Sequence, residues 1–74
     1  MEKIAMRGFE LQEIRKKHLR LKQDEFGAVV GAHRTTVSDW ERTDAEVPHC
    51  AALLARLMAA DPVLREKILK MAGV

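Results

Sequence analysis

The sequence has 74 residues, of which 47% are hydrophobic and 32% charged, and its formal net charge is +2 at pH 7. A chain of this length allows a single domain, and oligomerisation is a common supplement to so small a core. Its one cysteine, Cys50, excludes an intrachain disulfide, and no run of about 18 apolar residues marks a membrane span. We therefore expect one soluble domain over residues 1–74, located in the cytoplasm.

The charge is unevenly distributed along the chain. Residues 1–22 contain seven basic and three acidic residues, residues 23–46 contain two basic and six acidic, and residues 47–74 contain four basic and two acidic. The first block could face phosphates. The acidic balance of the middle block argues against a simple electrostatic attraction to nucleic acid.

Helix-forming residues dominate the sequence, glycine and proline are few, and no segment alternates with period two. We therefore predict an all-α fold, a compact bundle of about five short helices. The first helix is predicted over residues 9–19, with Leu11, Ile14 and His18 on its inner face. Residues 1–7 are predicted to be a frayed tail, and an arm along a groove is the alternative.

The other helices have recognisable first and last residues. The second is predicted over residues 23–30, and it ends at Gly31, which can adopt the left-handed conformation of a sharp turn. The third extends to residue 42 and is followed by a loop. Pro48 suits the first turn of a fourth helix that reaches residue 60. Asp61 and Pro62 are predicted as the N-cap and first residue of a fifth helix that ends at residue 73.

The second and third helices have the features of a helix-turn-helix. Only two or three residues separate them, and Gly31 permits the tight turn. Gly27 has no side chain, so another helix could cross close above it. Val37 and Trp40, three residues apart, would anchor the third helix in the core.

Helical geometry assigns other residues of the third helix to its outer face. At about 100° per residue, with Arg34 at zero, Val37 and Trp40 point to roughly 270°. The opposite side carries only residues that form hydrogen bonds: Arg34, Thr35, Ser38, Asp39 and Arg42. These side chains can address guanine, cytosine or phosphate, so the face suits reading of a DNA major groove. The alternative is an ordinary solvated face of a bundle helix.

The segment QDEFGAVVGAHRTTVSDWER, residues 23–42, resembles the helix-turn-helix of the Cro/C1-type (XRE) family of phage and bacterial regulators. The positions that carry the resemblance are Gln23, Gly27, Gly31, Thr36, Val37, Trp40, Glu41 and Arg42. The resemblance implies a lambda-repressor-like DNA-binding domain that acts as a homodimer on a two-fold symmetric operator in double-stranded DNA.

By position, the resemblance implies a set of residues that read bases in the major groove: Arg34, Thr35, Ser38 and Asp39. A second set is expected to position phosphates: Gln23, His33, Arg42, Lys22 and Lys17. Gln23 and Arg42 follow from the resemblance, whereas the lysines belong to a basic cluster at the end of the first helix. Asp39 keeps three possible roles, which are to read cytosine, to restrain Arg42 or Arg34, or to exclude wrong sites.

Some positions depart from the family pattern. His33 stands where serine or threonine commonly caps the third helix, and a neutral imidazole is expected to cap less well. The loop after the third helix contains Asp44 and Glu46, which would repel a phosphate that approached them.

The first helix also departs from the family, because it is joined to the second through one extra residue. The family's buried partner of Glu41 is therefore Arg15 by motif or Lys16 by spacing. The sequence leaves both candidates open.

The fourth helix is apolar on nearly all sides, since ten of the eleven residues 50–60 are apolar. A solvent-facing helix should show only a stripe, so this helix is either central to the monomer or part of a dimer interface. We predict an interface on the helices within residues 48–73, formed by Leu54, Leu57, Met58, Val63, Leu64, Ile68 and Met71. The segment AALLARLMAADP is also similar to antitoxin-like proteins of the family.

No pattern of a catalytic or metal site is present. The histidines lack the i,i+4 spacing of metal ligands, and Cys50 is interpreted as a buried small hydrophobe. We expect no enzyme activity, no cofactor and no metal.

These observations predict a homodimeric transcriptional repressor that occupies a palindromic operator and regulates its own small operon. A phage, toxin–antitoxin or anti-CRISPR-associated operon is the expected setting. The alternative is an antitoxin-like protein-binding module, whose C-terminal helices sequester a toxin or another partner encoded nearby.

Overall fold

Five helices follow one another in the computed structural model, which describes residues 5–74. They are α1 (Gly8–Glu13), continued by a π-helical segment (Ile14–Leu19), α2 (Gln23–Val30), α3 (Arg34–Thr43), α4 (His49–Ala60) and α5 (Pro62–Ala72). The predicted all-α bundle is confirmed, and the described part of the chain has one isolated antiparallel bridge but no strand. None of the helices in residues 5–74 has the length and apolarity that a membrane span requires.

The ends of the helices follow the local signals in the sequence. Gly31 ends α2 with a φ of 73°, and Gly73 ends α5 with a φ of 78°. The side chain of Asp61 accepts hydrogen bonds of 3.1 Å from two backbone N–H groups in the first turn of α5. Pro48 lies one residue before α4 rather than within its first turn.

The core lies where the first helix, α2, α3 and α4 meet. Its largest fully buried side chains are those of Phe26, Met6, Leu11, Leu19, Met58 and Val37. The burial of Met6 corrects the prediction of a frayed tail, because the Met6 carbonyl accepts a hydrogen bond of 2.9 Å from the Val47 N–H. Residues 1–4 of that predicted tail lie outside the described residues.

The extra residue of the first helix is accommodated by the π-helical segment. A π-turn contains one more residue than an α-turn, and the segment ends at Arg20 in the left-handed conformation, with a φ of 55°. Leu19 is buried, whereas His18, which was predicted on the inner face, is exposed. Arg65 of α5 donates a hydrogen bond of 2.6 Å to the Leu19 carbonyl, and this partner satisfies the helix end.

The apolar α4 is covered by the monomer on one side only. Its inner side is formed by Ala51, Ala52, Ala55 and Met58. The prediction that Met58 belongs to a dimer interface is wrong, because this side chain is 1% exposed and lies in the monomer core. The outer side carries Leu53 and Leu57, which are 43% and 41% exposed. Cys50, predicted to be buried, is exposed on this outer side as well.

Candidate nucleic-acid interface

A buried polar cluster holds α3 against the first helix and α2. Arg15 Nε and Nη2 donate to the two carboxylate oxygens of Glu41 at 2.6 and 2.8 Å, and Arg15 Nη1 donates to the Leu21 carbonyl at 2.8 Å. Gln23 Nε2 donates to Glu41 Oε1 at 3.0 Å. We call Arg15, Gln23 and Glu41 the α3 clamp. Its charges are fully paired, which is the condition for burying them without a large penalty.

The clamp uses Arg15, whereas Lys16 is exposed. A guanidinium can bond both carboxylate oxygens and a backbone carbonyl in one plane, and an ammonium has no such fork. Gln23, predicted to position a phosphate, is half-buried and commits one of its two amide N–H donors to Glu41. Its second donor is available, so the phosphate role stays a prediction.

Two glycines make close backbone contacts, Gly8 with α3 and Gly27 with the turn between α2 and α3. A Cβ on Gly27 would overlap the carbonyl oxygen of Ala32, so the close neighbour predicted at Gly27 is the turn itself rather than another helix. A Cβ on Gly8 would overlap the carbonyl oxygen of Trp40. Trp40 is half-buried and packs against the core. Sequence reasoning missed Gly8, since its contact comes from a residue far along the chain.

His33 caps α3. Its Nδ1 accepts a hydrogen bond of 3.1 Å from the Thr35 backbone N–H and lies 2.9 Å from the Thr35 hydroxyl. The imidazole therefore fills the N-cap position where the sequence predicted a weaker cap. An accepting Nδ1 places the proton of the neutral ring on Nε2. This second nitrogen is the one that can donate to a phosphate.

The outer face of α3 is the candidate interface. Arg34, Thr35, Asp39 and Arg42 are exposed, and Ser38 is half-buried. The middle of this face lies opposite Val37 and Trp40, as the helical angles predicted. Arg34 lies at its edge, because the buried Glu41, seven residues later, points in nearly the same direction. The guanidinium group of Arg34 has no hydrogen-bond or ion-pair partner among residues 5–74.

Asp39 and Arg42 form an ion pair on this face. Arg42 Nη2 donates to Asp39 Oδ1 at 2.8 Å. Of the three roles that the sequence left open for Asp39, a restraint on Arg42 is the one that has a contact in the structure. No such contact joins Asp39 to Arg34 within the described chain.

The predicted phosphate-binding lysines lie in different surroundings. Lys22 is exposed, and its ammonium has no ion-pair partner among residues 5–74. Lys17 is exposed as well, but it forms an ion pair of 3.4 Å with Glu13. Of the two lysines, Lys22 is therefore the one whose charge is not already paired.

The acidic loop after α3 is partly neutralised. Asp44 Oδ1 accepts a hydrogen bond of 3.0 Å from the backbone N–H of Phe9 in the first turn of α1, and Asp44 Oδ2 lies 3.8 Å from Arg7 Nε. A carboxylate is favourable at this positive helix end. The predicted repulsion of phosphate therefore rests mainly on Glu46, which is exposed. The capping role of Asp44 has no local sequence signal, because it serves a distant helix.

The predicted dimer interface has both exposed and half-buried members. Leu57 is 41% exposed and Met71 is 88% exposed, while Leu54, Leu64 and Ile68 are half-buried. Between α2 and α5 lies an apolar cleft, which is lined by Ala28, Val29, Ile68, Met71 and Ala72.

No protein-family model matches the chain, and no curated protein or solved structure matches it significantly. In the described residues, no group of three or more His, Cys, Asp or Glu side chains is placed to hold a metal ion. Two exposed surfaces are the candidate functional sites, the outer face of α3 and the apolar surface of α4 and α5.

Proposed function

We propose that this protein is a sequence-specific, double-stranded DNA-binding transcriptional repressor of the Cro/C1 type. Its α3 enters the major groove, where Arg34, Thr35, Ser38 and Asp39 contribute to base reading. Gln23, His33, Arg42, Lys22 and Lys17 position the phosphate backbone. The protein acts in the cytoplasm on the operator of its own small phage or bacterial operon, including operons of the anti-CRISPR-associated type.

The observation that carries the proposal is the outer face of α3. Every side chain on it can form hydrogen bonds, and all except the half-buried Ser38 are exposed. The α3 clamp fixes the rotation of the helix from beneath. A reading surface needs side chains whose supporting helix is held by packing and hydrogen bonds.

A homodimer completes the proposed function, because a palindromic operator requires two copies of α3 about one DNA turn apart. The surface that supports pairing is apolar and exposed on α4 and α5, above all at Leu57 and Met71. Leu54, Leu64 and Ile68 lie at its half-buried edge, and Met58 is removed from the proposed set.

The test is a mobility-shift and footprinting assay on the duplex directly upstream of the protein's own gene, with the mass of the free protein measured in parallel. We expect a dimer mass and two protected segments about 34 Å apart. The logarithm of the binding constant should fall linearly with the logarithm of the salt concentration, with a slope of about −0.9 per phosphate contacted. Equal affinity for an unrelated duplex of the same length would contradict sequence-specific binding.

A second candidate function is favoured by the extent of the exposed apolar surface. Leu53 on α4 extends it beyond the predicted dimer residues, and Val63 on α5 is 67% exposed. Such a surface fits an antitoxin-like module that sequesters a toxin or another protein encoded nearby. Co-expression with the product of the neighbouring gene distinguishes the two, since a stable hetero-complex that excludes DNA supports only the second candidate.

A further inference from the structure

The ion pair between Asp39 and Arg42 has no evident role in holding the fold. The two side chains are three residues apart on α3, and they are 54% and 70% exposed. Exposed ion pairs of this kind contribute little to folding, because water and salt screen both charges. The pair lies instead at the C-terminal half of the outer face, one residue from the clamped Glu41.

The hydrogen-bond donors that Arg42 does not use for Asp39 can recognise a second group. A guanidinium carries five N–H donors in a rigid fork, and Asp39 occupies one of them. The remaining donors include a pair that matches O6 and N7 of guanine. Asp39, by contrast, has its Oδ1 bound to Arg42, so a contact with cytosine would have to use the other carboxylate oxygen, Oδ2.

Arg42 and Arg34 differ in how far they are ordered before binding. Arg34 has no partner among the described residues, so its long side chain must lose rotamer freedom when it binds. Arg42 is held by Asp39 at 2.8 Å. Restraining a side chain in its bound geometry lowers the cost of association.

The direction of Arg42 also favours the groove. On α3 it lies seven residues after Thr35, which is about two helical turns, so both residues point in nearly the same direction. That direction is the middle of the outer face, and Arg42 lies at the C-terminal end of α3.

We propose that Asp39 is a positioning residue that aims Arg42 at a guanine, so that Arg42 reads a base rather than only anchoring a phosphate. The inference rests on the proposed DNA-binding function and deepens it. It moves Arg42 into the base-reading set and gives Asp39 an indirect part in specificity.

The test is selection of binding sites from a random duplex library with the full chain. The proteins compared are the wild type, Arg42→Ala, Asp39→Ala, the double variant, and Glu66→Ala as the control. Glu66 is an exposed acidic residue on α5 that pairs with Arg65, so its loss changes the net charge by the same amount. Affinities for the selected site and for its single-base variants are then measured at two salt concentrations.

We expect Arg42→Ala and Asp39→Ala to relax discrimination at the same G·C pair, and Glu66→Ala to leave it unchanged. Discrimination at that pair should fall by about five- to 150-fold for Arg42→Ala, the range for a bidentate contact. The double variant should be no worse than Arg42→Ala alone, because Asp39 acts only through Arg42.

Three results would overturn this inference and leave the proposed function standing. In the first, Asp39→Ala relaxes discrimination at a different base pair, which would make Asp39 a direct reader. In the second, Asp39→Ala strengthens binding to every sequence equally, as loss of a repelling charge would. In the third, Arg42→Ala weakens binding to all sequences equally and reduces the slope of log K against log salt concentration by about 0.9, as loss of a phosphate contact would. A wild-type protein that enriches no sequence overturns the proposed function itself, and with it the inference.

Discussion

Helices α3 and α4 contribute to the same core, but they are held in different ways, and the outer surface of α3 is polar whereas that of α4 is apolar. Beneath α3 lies a buried ion pair with directional bonds, whereas α4 packs through small side chains such as Ala52 and Ala55. The outer face of α3 is entirely hydrogen-bonding, and the outer side of α4 carries Leu53 and Leu57. A helix that reads a groove needs a fixed rotation about its axis, while an apolar contact surface tolerates small rotations.

The largest effect is expected on the inner side of α3. Glu41→Ala removes one partner of a buried ion pair and leaves Arg15 uncompensated, which should cost about 3–5 kcal/mol in the free energy of unfolding. A small domain has about 5 kcal/mol in total, so this variant should be largely unfolded, as urea denaturation would show.

The matched control for that variant is Glu13→Ala, which breaks the exposed ion pair with Lys17. Its effect should stay within about 0.5 kcal/mol. If Glu41→Ala were as mild as this control, the clamp could not be what fixes the rotation of α3.

A smaller loss is expected where α1 supports α3. Gly8→Ala would drive a methyl group into the Trp40 carbonyl, and backbone cannot retreat as a flexible side chain can. We expect a loss at the upper end of the about 1–3 kcal/mol typical of overpacking. Gly31→Ala is the comparison, since it meets open space and should cost only the strain of its positive φ, about 1 kcal/mol. Equal losses in thermal or urea unfolding would show that Gly8 is not in close contact.

On the apolar surface, a change should alter association without altering the fold. Met71 is 88% exposed, so Met71→Glu should leave monomer unfolding within about 0.5 kcal/mol. If the proposed dimer buries Met71, the charge should raise the dissociation constant at least about tenfold. Phe9→Glu is the control, because Phe9 is a 59% exposed apolar residue outside α4 and α5. If the Met71→Glu variant sediments with the dimer mass, as the Phe9→Glu control is expected to, the dimer contact lies elsewhere.

Local signals predicted the helices well, because caps and turn glycines act within a few residues. The bounds of α2 agree with the prediction, and Gly31, Asp61 and Gly73 act as predicted. The choice between Arg15 and Lys16 could not be made, since it depends on a π-turn that only tertiary packing selects. The burial of Met6 has no local signal for a similar reason, because it comes from pairing with a loop far along the chain.

The apolar run of α4 shows why the inner and outer sides could not be separated by sequence. When ten of eleven residues are apolar, the spacing of apolar residues does not show which side of the helix is buried, so Met58 and Leu57 look equivalent. The structure separates them, with Met58 in the core and Leu57 on the surface. On α3 the apolar Val37 and Trp40 recur at helical spacing, and four of the five residues predicted on the outer face are exposed, whereas Ser38 is half-buried.

The central claim is that the outer face of α3 reads DNA, and Arg34→Ala tests it most directly. The side chain is exposed and has no partner in the described residues, so the variant should fold normally. Lys70→Ala removes the same charge from exposed α5 and serves as the control. We predict that, on the operator upstream of the gene, Arg34→Ala loses about 1–3 kcal/mol of binding and relaxes specificity at one base pair, while Lys70→Ala keeps both. An Arg34→Ala protein that binds this operator with unchanged affinity and selectivity would contradict the claim.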